Sequence, residues 1–534
     1  MKRVVLVILI ICLIAAVPVG TAGAWTHTLN SSYAYNYDYW GVERESPSPY
    51  NADIVVKGAD LGIGNFRDPQ GVFVAGERVF LVDTGNNRII ELDSGYNLVA
   101  VIDSFNNGGQ NDTFSSPYDV FVTPTGDIYV ADTNNHRIVH MNADLEAIKI
   151  ITKPDDALMD EIAEFLPLKL VVDNADRLYL VAQNVSRGLM EFSPDGSFAS
   201  YLGANQVNFS VADMIWRTIS TRTQREQMAL FIPTEYNNVF LDHKGFVYTT
   251  TSAINEEDLI MSFTQDDDSF LTRLLGIGES FNVEPVRRLN AMGADILIRN
   301  GWVTPIGDWD WSDAGGVSGP SRLMDIAADD QNSYYVIDRV RGRIFGYDFQ
   351  GNILYIFGGL GNMAGHFQNP TAIEYINGSL LVVDSRSASM TVFNPTEYGA
   401  LIHRALEEYY VGNYELSGQL WEQVLMLNAN FDLAYIGIGR SLLRQGRFEE
   451  AMYYFEMKAD FDNYSKAFAE YRKQVVEDNI SYVVGGLFAL IIVFGVYKHL
   501  KKLFMLAGKD ISIFKTKKRN ITNQNDKEGL AWEN

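Results

Sequence analysis

A repeat of about 50 residues runs through the middle of this sequence and constrains its fold more than any other feature. In each unit a proline precedes a short strand of alternating apolar residues, and Gly, Asn and Asp separate that strand from the next one. The prolines of the first three units, Pro69, Pro117 and Pro167, are 48 and 50 residues apart. Two later prolines, Pro320 and Pro370, are also 50 residues apart. This period is the length of a four-stranded blade, so the sequence predicts a β-propeller.

Six units are recognisable between residues 50 and 398, with the fourth the weakest. The sixth unit lacks an outermost strand, while an isolated apolar stretch, residues 53–57, precedes the first unit. Pairing of Ile54 and Val55 with residues 390–393 would close the ring and leave no open sheet edge at the junction. We therefore predict a mainly β fold, a six-bladed propeller over residues 50–398, with insertions near 204–235 and 276–319.

An Asp and an Arg recur five residues apart after the second strand of several units. The pairs are Asp83 with Arg88, Asp132 with Arg137, and Asp338 with Arg343. Together with the proline and glycine before them, the second unit's Tyr-Val-Ala-Asp and Asn-Asn-His-Arg-Ile resemble the NHL repeat. The resemblance covers residues 50–395 and implies an NHL-type propeller. We interpret the pairs as structural, with the Asp capping turn amides and bonding to the Arg beside it.

The first 24 residues have the features of a secretory signal peptide. Lys2 and Arg3 precede an apolar run, and Ala22-Gly23-Ala24 places small residues at the cleavage site. The alternative is an uncleaved anchor, although the apolar run is short for a membrane span. Cleavage would also remove Cys12, the single cysteine, and so exclude a disulfide or a cysteine metal site from the mature chain. Residues 25–49 are interpreted as an N-terminal linker.

A second apolar segment near the C-terminus predicts a transmembrane helix over residues 479–498. Glu477 and Asp478 precede it, Lys498 is its last residue, and Lys501 and Lys502 follow it. By the positive-inside rule, the basic tail, residues 499–534, is cytoplasmic and the body of the chain is extracytoplasmic. The alternative, a buried core helix, fits poorly with charges on both flanks. We predict a single-pass protein of the cell membrane whose tail rests on anionic lipids.

Between the propeller and the span, residues 399–478 change to a helical periodicity. Gly412-Asn413-Tyr414 recurs 34 residues later as Gly446-Arg447-Phe448. This spacing resembles the tetratricopeptide repeat, which implies stacked helix pairs and a peptide or protein contact; a purely structural stalk is the alternative. Together with the insertion near Arg287 and the C-terminal span, the segment resembles a group of bacterial membrane proteins that accompany sugar-type ABC transporter components.

A cluster of tryptophans and aspartates in the second insertion predicts the most specific binding surface. Aromatic faces beside carboxylates suit sugars, because C–H faces stack on indole and hydroxyl groups bond to the acids. The alternatives are that the tryptophans are buried and anchor a long loop, or that the aspartates form a calcium loop. The candidate ligand-binding residues are Trp302, Asp308, Trp309, Asp310, Trp311 and Asp313.

Composition and motifs narrow the function to two classes. The formal net charge of −24 disfavours nucleic acid as a partner, because an acidic surface repels phosphates. We expect no cofactor, no metal site and no catalytic residue, since the seven histidines form no dense ligand motif. The favoured function is an extracytoplasmic binding or scaffold protein that presents its propeller to a protein or glycan. The alternative is a metal-dependent propeller hydrolase or lyase that acts on exported carbohydrate or lactone.

Overall fold

The computed structural model of the protein describes residues 33–155, 164–203, 235–251, 284–310, 319–331 and 333–528. For residues 309–310 and most of 508–528 it describes the backbone alone. The predicted signal peptide and nearly all of the first predicted insertion therefore lie outside the described residues. The chain divides into two compact units after Ser441.

Antiparallel sheets follow one another along the first unit, and each is one blade. Three N-terminal strands join later blades: β1 (Ala34–Tyr37), β2 (Glu43–Glu45) and β3 (Tyr50–Val56). The next strands form blade one, a small hairpin and blade two. Blade one has β4 (Gly71–Ala75), β5 (Arg78–Asp83), β6 (Arg88–Leu92) and β7 (Leu98–Ile102); the hairpin has β8 (Ser104–Asn107) and β9 (Gln110–Thr113); blade two has β10 (Pro117–Val122), β11 (Ile128–Asp132), β12 (Arg137–Met141) and β13 (Ala147–Thr152).

The remaining strands complete the ring. Blade three has β14 (Pro167–Val172), β15 (Leu178–Ala182), β16 (Leu189–Phe192) and β17 (Phe198–Leu202), and blade four has β18 (Asn238–Leu241), β19 (Val247–Thr250) and β20 (Val286–Leu289). A short pair, β21 (Trp309–Asp310) and β22 (Gly319–Pro320), precedes blade five, which has β23 (Leu323–Ala328), β24 (Tyr334–Asp338), β25 (Arg343–Tyr347) and β26 (Ile353–Gly358). Blade six has β27 (Pro370–Ile376), β28 (Ser379–Asp384) and β29 (Ser389–Pro395). The predicted six-bladed propeller is confirmed.

The ring is closed by the N-terminal strand β3, which pairs antiparallel with β29 as the outer strand of blade six. Val55 lies opposite Thr391, and Ile54 lies opposite Val392. This pairing confirms the closure predicted from the orphan strand at one end of the repeats and the missing strand at the other. The last blade is thus held by both ends of the propeller sequence.

Two segments differ from their predicted roles. Within residues 25–49, interpreted as a linker, β1 and β2 extend the sheet of blade five, where β1 pairs with β26. Within 276–319, interpreted as an insertion, Val286–Leu289 forms the third strand of blade four and pairs with β19. Both strands find partners far away in the chain or across a long connection, so local spacing did not indicate them.

The second strand of a blade is buried on both faces because neighbouring blades pack against it. Such strands are continuous apolar runs that end in a buried Asp, as in β5 and β11. Asp83 accepts hydrogen bonds from Arg67 N and Arg88 Nε, both at 2.7 Å. Asp132 accepts from Ser115 N and Arg137 Nε in the same way, also at 2.7 Å. The Asp therefore ties its blade to the segment that enters it.

Blade five uses its Asp and Arg differently. Asp338 accepts from Arg322 N at 2.9 Å and from Ser321 Oγ at 2.6 Å. Arg343 donates to Gly358 O, and its guanidinium lies 5.0 Å from the centre of the Tyr35 ring. The N-terminal strand β1 thus adds an aromatic contact to the Arg of this blade.

The described helical region beyond the propeller begins at Thr396, whose hydroxyl caps the first helix. Helices α1 (Glu397–Tyr410), α2 (Tyr414–Leu427) and α3 (Asp432–Arg444) follow, and α1 packs on blade five. Arg440 Nη1 donates to Gln350 Oε1 at 2.9 Å, and the rings of Phe349 and Tyr410 meet edge to face at 4.5 Å. The region is helical as predicted, while its tetratricopeptide identity stays a prediction.

The second unit contains α4 (Phe448–Met457) and α5 (Phe461–Glu528). Residues Phe461–Ala507 of α5 are long and apolar enough to cross a membrane, with a mean hydropathy of 2.3 in the best window. The predicted transmembrane segment, residues 479–498, lies within this helix, and its large apolar side chains are exposed. One candidate span near the C-terminus is therefore present.

Candidate ligand-binding site

The sequence-predicted site residues lie in the segment that leads into β21 and β22. Trp302 is partly buried, and its indole Nε1 donates to Tyr37 O at 3.3 Å. Asp308 is buried at 6% exposure. Trp309 and Asp310 form β21 against β22, but their side chains are not described, and Trp311 and Asp313 lie outside the described residues. The structure thus brings Trp302 and Asp308 to one place, beside the N-terminal hairpin that β1 and β2 form.

Asp308 is held by hydroxyl groups from two elements. Tyr35 and Tyr37 of β1 both donate to its carboxylate, Tyr37 at 2.7 Å. The backbone N–H of Asp308 donates to Ser321 Oγ at 2.9 Å, and Ser321 Oγ in turn donates to Asp338. Burial, and then the charge of Asp308, raise the pKa of both tyrosines well above the usual value. Asp308 therefore fixes the loop on the hairpin, and Tyr37 and Trp302 offer the more accessible surface.

A further acid, Glu43, completes this surface and was missed by sequence reasoning. It lies directly opposite Tyr37 in the register of β1 and β2 and is partly buried. Burial, and then the charge of Asp308, raise the pKa of Glu43 to about 7, although Arg343 opposes the shift. The alternating tyrosines of residues 33–39, with period two, were the available sequence signal for a strand here.

We name Tyr37, Glu43, Trp302 and Asp308 the hairpin site. The site combines two aromatic rings with two carboxyl groups. Near neutral pH Glu43 exchanges between a hydrogen-bond acceptor and a donor, whereas Asp308 is engaged by tyrosine hydroxyls. Such a set suits a ligand with apolar faces and several hydroxyl groups.

A second polar cluster lies on the propeller axis. The innermost strands β4, β10, β14, β18, β23 and β27 contact one another in a closed ring. Their equivalent positions, which share one register against the second strand, are Gly71, Asp119, Lys169, Asn238, Asp325 and Ala372. Four of these six positions have polar side chains, so the axis is polar at this level.

Lys169, on blade three, contacts one neighbouring blade and one blade that is not its neighbour. Its Nζ lies 3.5 Å from Asp119 in blade two and 3.9 Å from Asp325 in blade five. Asp119 also accepts from Leu170 N, and Asp325 accepts from Ile373 N, both at 3.0 Å. Because blades three and five are not neighbours, this ion pair joins two separate parts of the ring at its axis.

One more acid lies close to this axial network. Glu374, two residues beyond Ala372, is buried, and its carboxylate accepts from Tyr375 N at 3.2 Å. Burial, and then the charge of Asp325, raise the pKa of Glu374 well above the usual value. Among the described residues, no three His, Cys, Asp or Glu side chains are grouped so that they could hold a metal ion.

A buried cluster of tyrosines surrounds His403 of α1, where the helix packs on the propeller. Tyr355 Oη lies 2.6 Å from His403 Nε2, and Asp329 Oδ2 lies 3.9 Å from His403 Nδ1. Tyr335 donates to Asp329 at 3.2 Å. Burial lowers the pKa of His403 to about 4 and raises the pKa of Asp329 to about 6.

These shifts predict that acidification stabilises the propeller. The raised pKa values of Asp325 and Asp329, about 6, and of Glu43, about 7, mean that the folded chain binds these protons more tightly than the unfolded chain. Their stabilisation is complete below about pH 4 and is lost as the pH rises through 6–7. His403, with a lowered pKa, opposes this gain as the pH falls from about 6.5 towards 4.

Since several buried acids with raised pKa values oppose the single His403, we expect the thermal midpoint to be higher at about pH 5.5 than at about pH 8. Circular dichroism of the full chain in detergent measures this midpoint. The variant His403→Gln removes the opposing imidazole and should enlarge the gain. A midpoint that falls on acidification in both proteins would contradict the assignment.

Sequence comparison agrees with the repeat seen in the structure. Residues 114–141, which cover β10 to β12 and the Asp132 and Arg137 pair, match the NHL repeat family. The chain is a six-bladed β-propeller whose second blade matches the NHL repeat. No curated protein matches the sequence of this chain.

Several solved structures match this chain at low sequence identity. A virginiamycin B lyase from Staphylococcus aureus is 10% identical over 62% of this chain and 97% of its own, with a TM-score of 0.36. An auxiliary nutrient binding protein from Bacteroides thetaiotaomicron is 10% identical over 62% of this chain and 69% of its own, also with a TM-score of 0.36. A protein of unknown function from the same organism is 10% identical, with a TM-score of 0.38, over 65% and 72%. These identities and TM-scores assign no function to this chain.

Proposed function

We propose that this protein is a membrane-anchored binding protein that presents its propeller outside the membrane to a glycan or protein partner. The observation that supports a glycan is the hairpin site, where Trp302 and Tyr37 lie beside Glu43. Indole and phenol rings stack on the C–H faces of sugars, and a carboxyl group bonds to their hydroxyls. Trp309, Asp310, Trp311 and Asp313 follow Asp308 in the chain and stay part of the proposed surface.

The anchor is the apolar helix α5, and the orientation is part of the proposal. The signal peptide over residues 1–24 and the lysines after the apolar segment both favour an extracytoplasmic propeller and a cytoplasmic tail. The resemblance to bacterial proteins that accompany sugar-type ABC transporter components supports a place beside such a transporter. The proposed ligand is then a carbohydrate outside the cell.

The helical region is proposed to contact a peptide or protein in addition to supporting the propeller. The surface formed by Tyr410 and Arg440 already packs on the turn of blade five. A partner would therefore use another part of the region, and Val411 and Met426, which are 72% and 83% exposed, offer one.

The variant Trp302→Ala tests the hairpin site. We expect the detergent-solubilised full-length protein to bind to oligosaccharides on an array of neutral sugars. The variant should bind them at least about tenfold more weakly, because a stacking face is lost. Trp40→Ala is the matched control, since Trp40 lies at the tip of the same hairpin and is 68% exposed. Equal binding by the two variants and the wild type would contradict the site.

A second variant tests whether Glu43 contacts the ligand. Glu43→Gln keeps the size of the side chain but removes the titrating proton. We expect the wild-type affinity to change between about pH 6 and pH 8, around the raised pKa of Glu43, and the variant to lose this dependence. An unchanged pH profile would show that Glu43 does not contact the ligand.

A further inference from the structure

The two ends of the propeller differ in charge along blades five, six and one. In each of these blades the first strand begins where the second strand ends, so the connection that enters the blade and the one that follows its second strand lie at the same end. These connections contain six Lys or Arg residues and two acids. They are residues 57–70, 84–87, 321–322, 339–342, 359–369 and 385–388.

The turns at the other end of the same blades contain five acids and no Lys or Arg. They are residues 76–77, 93–97, 329–331, 348–352 and 377–378. In a chain with a formal net charge of −24, the first end is therefore a local reversal of charge. Such a basic surface attracts anionic ligands.

Four arginines of the basic end are exposed, and we name them the arginine arc. They are Arg67, Arg322, Arg339 and Arg386. Among the residues that the structure describes, no carboxylate lies within ion-pair distance of any of the four. Their charges are therefore not used to hold the described part of the propeller together.

Hydrogen bonds connect the arginines of blades five and six. The backbone N–H of Arg339 donates to Arg322 O at 3.0 Å. The Arg339 Nε donates to Asn369 Oδ1 at 2.5 Å, across the boundary between the two blades. Asn369 Nδ2 in turn donates to Ser385 Oγ at 2.6 Å, and Ser385 directly precedes Arg386. These three arginines thus lie on one continuous surface.

Blade one continues this surface, and the described helices leave it uncovered. Thr371 Oγ1 of blade six donates to Pro69 O at 3.1 Å, two residues after Arg67. The helices α1 to α3 pack on the acidic end instead, where Arg440 donates to Gln350. The arginine arc therefore extends over three successive blades on the end away from these helices.

The arc also reaches the propeller axis. Burial raises the pKa of Tyr118 in blade two, whereas the positive charges of Lys169 and Arg339 oppose this shift. Blades two and five lie opposite each other in the ring of six, so the charge of Arg339 acts on Tyr118 across the axis. The partly buried Tyr118 ring thus adds an aromatic group to the basic end.

We propose that the arginine arc binds an acidic polysaccharide through the carboxylates of its uronic acid units. Guanidinium groups donate paired hydrogen bonds to carboxylates, and four of them over three blades suit several separated charges better than one ion. The Tyr118 ring offers a face for stacking on a sugar. This proposal rests on the proposed glycan-binding function, and it adds a second site for a class of glycan that differs from the neutral sugars tested at the hairpin site.

Fluorescence anisotropy of the full-length protein in detergent, with a labelled oligogalacturonate as the probe, tests the arc. The double variant Arg339→Gln and Arg386→Gln should bind the probe at least about tenfold more weakly, because it lacks two of the four guanidinium groups. The double variant Arg78→Gln and Lys244→Gln is the matched control. It removes two exposed charges from the acidic end and should leave the affinity within about twofold of the wild type.

The fully methyl-esterified oligosaccharide is the control for the probe, because it keeps the sugars and loses the charges. We expect the wild type to bind it at least about tenfold more weakly than the acid. The proposal is overturned if the ester binds as tightly as the acid, if the arc variant binds the acid as tightly as the control variant, or if a single-stranded oligonucleotide of equal charge binds as tightly.

Neutral sugars separate this proposal from the function on which it rests. If the wild type binds neutral sugars and the Trp302→Ala variant does not, but the oligogalacturonate fails to bind, only the arginine arc is overturned. If neither neutral nor acidic sugars bind, the glycan-binding function is contradicted as well.

Discussion

Replacing Lys169 with methionine should lower the free energy of unfolding by about 3–5 kcal/mol, because it removes the cation between two buried carboxylates. Lys169 is 5% exposed and lies between Asp119 and Asp325. Methionine fills a similar volume, so the expected loss comes from the uncompensated charges and not from a cavity. Chemical denaturation of the full chain in detergent measures the change.

The control for this prediction is Lys149→Met, which removes a lysine from the exposed outer strand β13 and should change stability by less than about 0.5 kcal/mol. Adding Asp325→Asn to Lys169→Met removes one of the two carboxylates that have lost their cation. This double variant should recover part of the lost free energy of unfolding. The loss should also shrink at low pH, because burial raises the pKa of Asp325 to about 6. Equal stabilities of the two lysine variants would contradict a stabilising role for the contacts of Lys169 with Asp119 and Asp325.

Replacing the seven residues of β3 with a Gly/Ser sequence of equal length should cost at least about 4 kcal/mol, because it removes the buried Tyr50 and Val56 and opens blade six. Tyr50 is 1% exposed, and its ring stacks on Phe357 with the ring centres 5.4 Å apart. The loss is close to the whole stability of many domains, so we expect cooperative thermal unfolding to disappear.

The double variant Ile54→Ser and Val55→Ser is the matched control. These side chains are 42% and 39% exposed, so their loss should cost less than about 1 kcal/mol while the strand pairing remains. If the Gly/Ser replacement melts at the wild-type temperature, the closure of the ring by β3 does not stabilise the propeller.

The repeat spacing was sufficient to predict the propeller and its closure, because both depend on features that recur along the chain. The position of β1 and β2 was not predictable in the same way. The alternating tyrosines around Tyr35 indicate a strand, but nothing local shows that its partner is β26, more than 300 residues later. A strand that extends a distant blade is set by tertiary packing, which local patterns do not report.

The candidate sites show the same limit. Trp302 and Asp308 were recognised by their residue types. Glu43 was not, because its raised pKa depends on burial and on the charge of Asp308, which only the folded chain shows. The network of charged residues on the propeller axis also cannot be predicted from any single repeat. Asp119, Lys169 and Asp325 occupy equivalent positions of different blades, and only the ring brings them together. Aligning the blades on their second strands would have revealed this difference between units.

The most direct test of the account is the accessibility of the propeller across the membrane. In right-side-out membrane vesicles that contain the full chain with a C-terminal tag, added protease should degrade the propeller and leave the tag on a protected fragment. Inside-out vesicles are the control and should lose the tag. This result supports a propeller held outside the membrane by α5 with the tail inside. A propeller that stays intact in right-side-out vesicles, while the tag is lost, would contradict the proposed display of the binding surface.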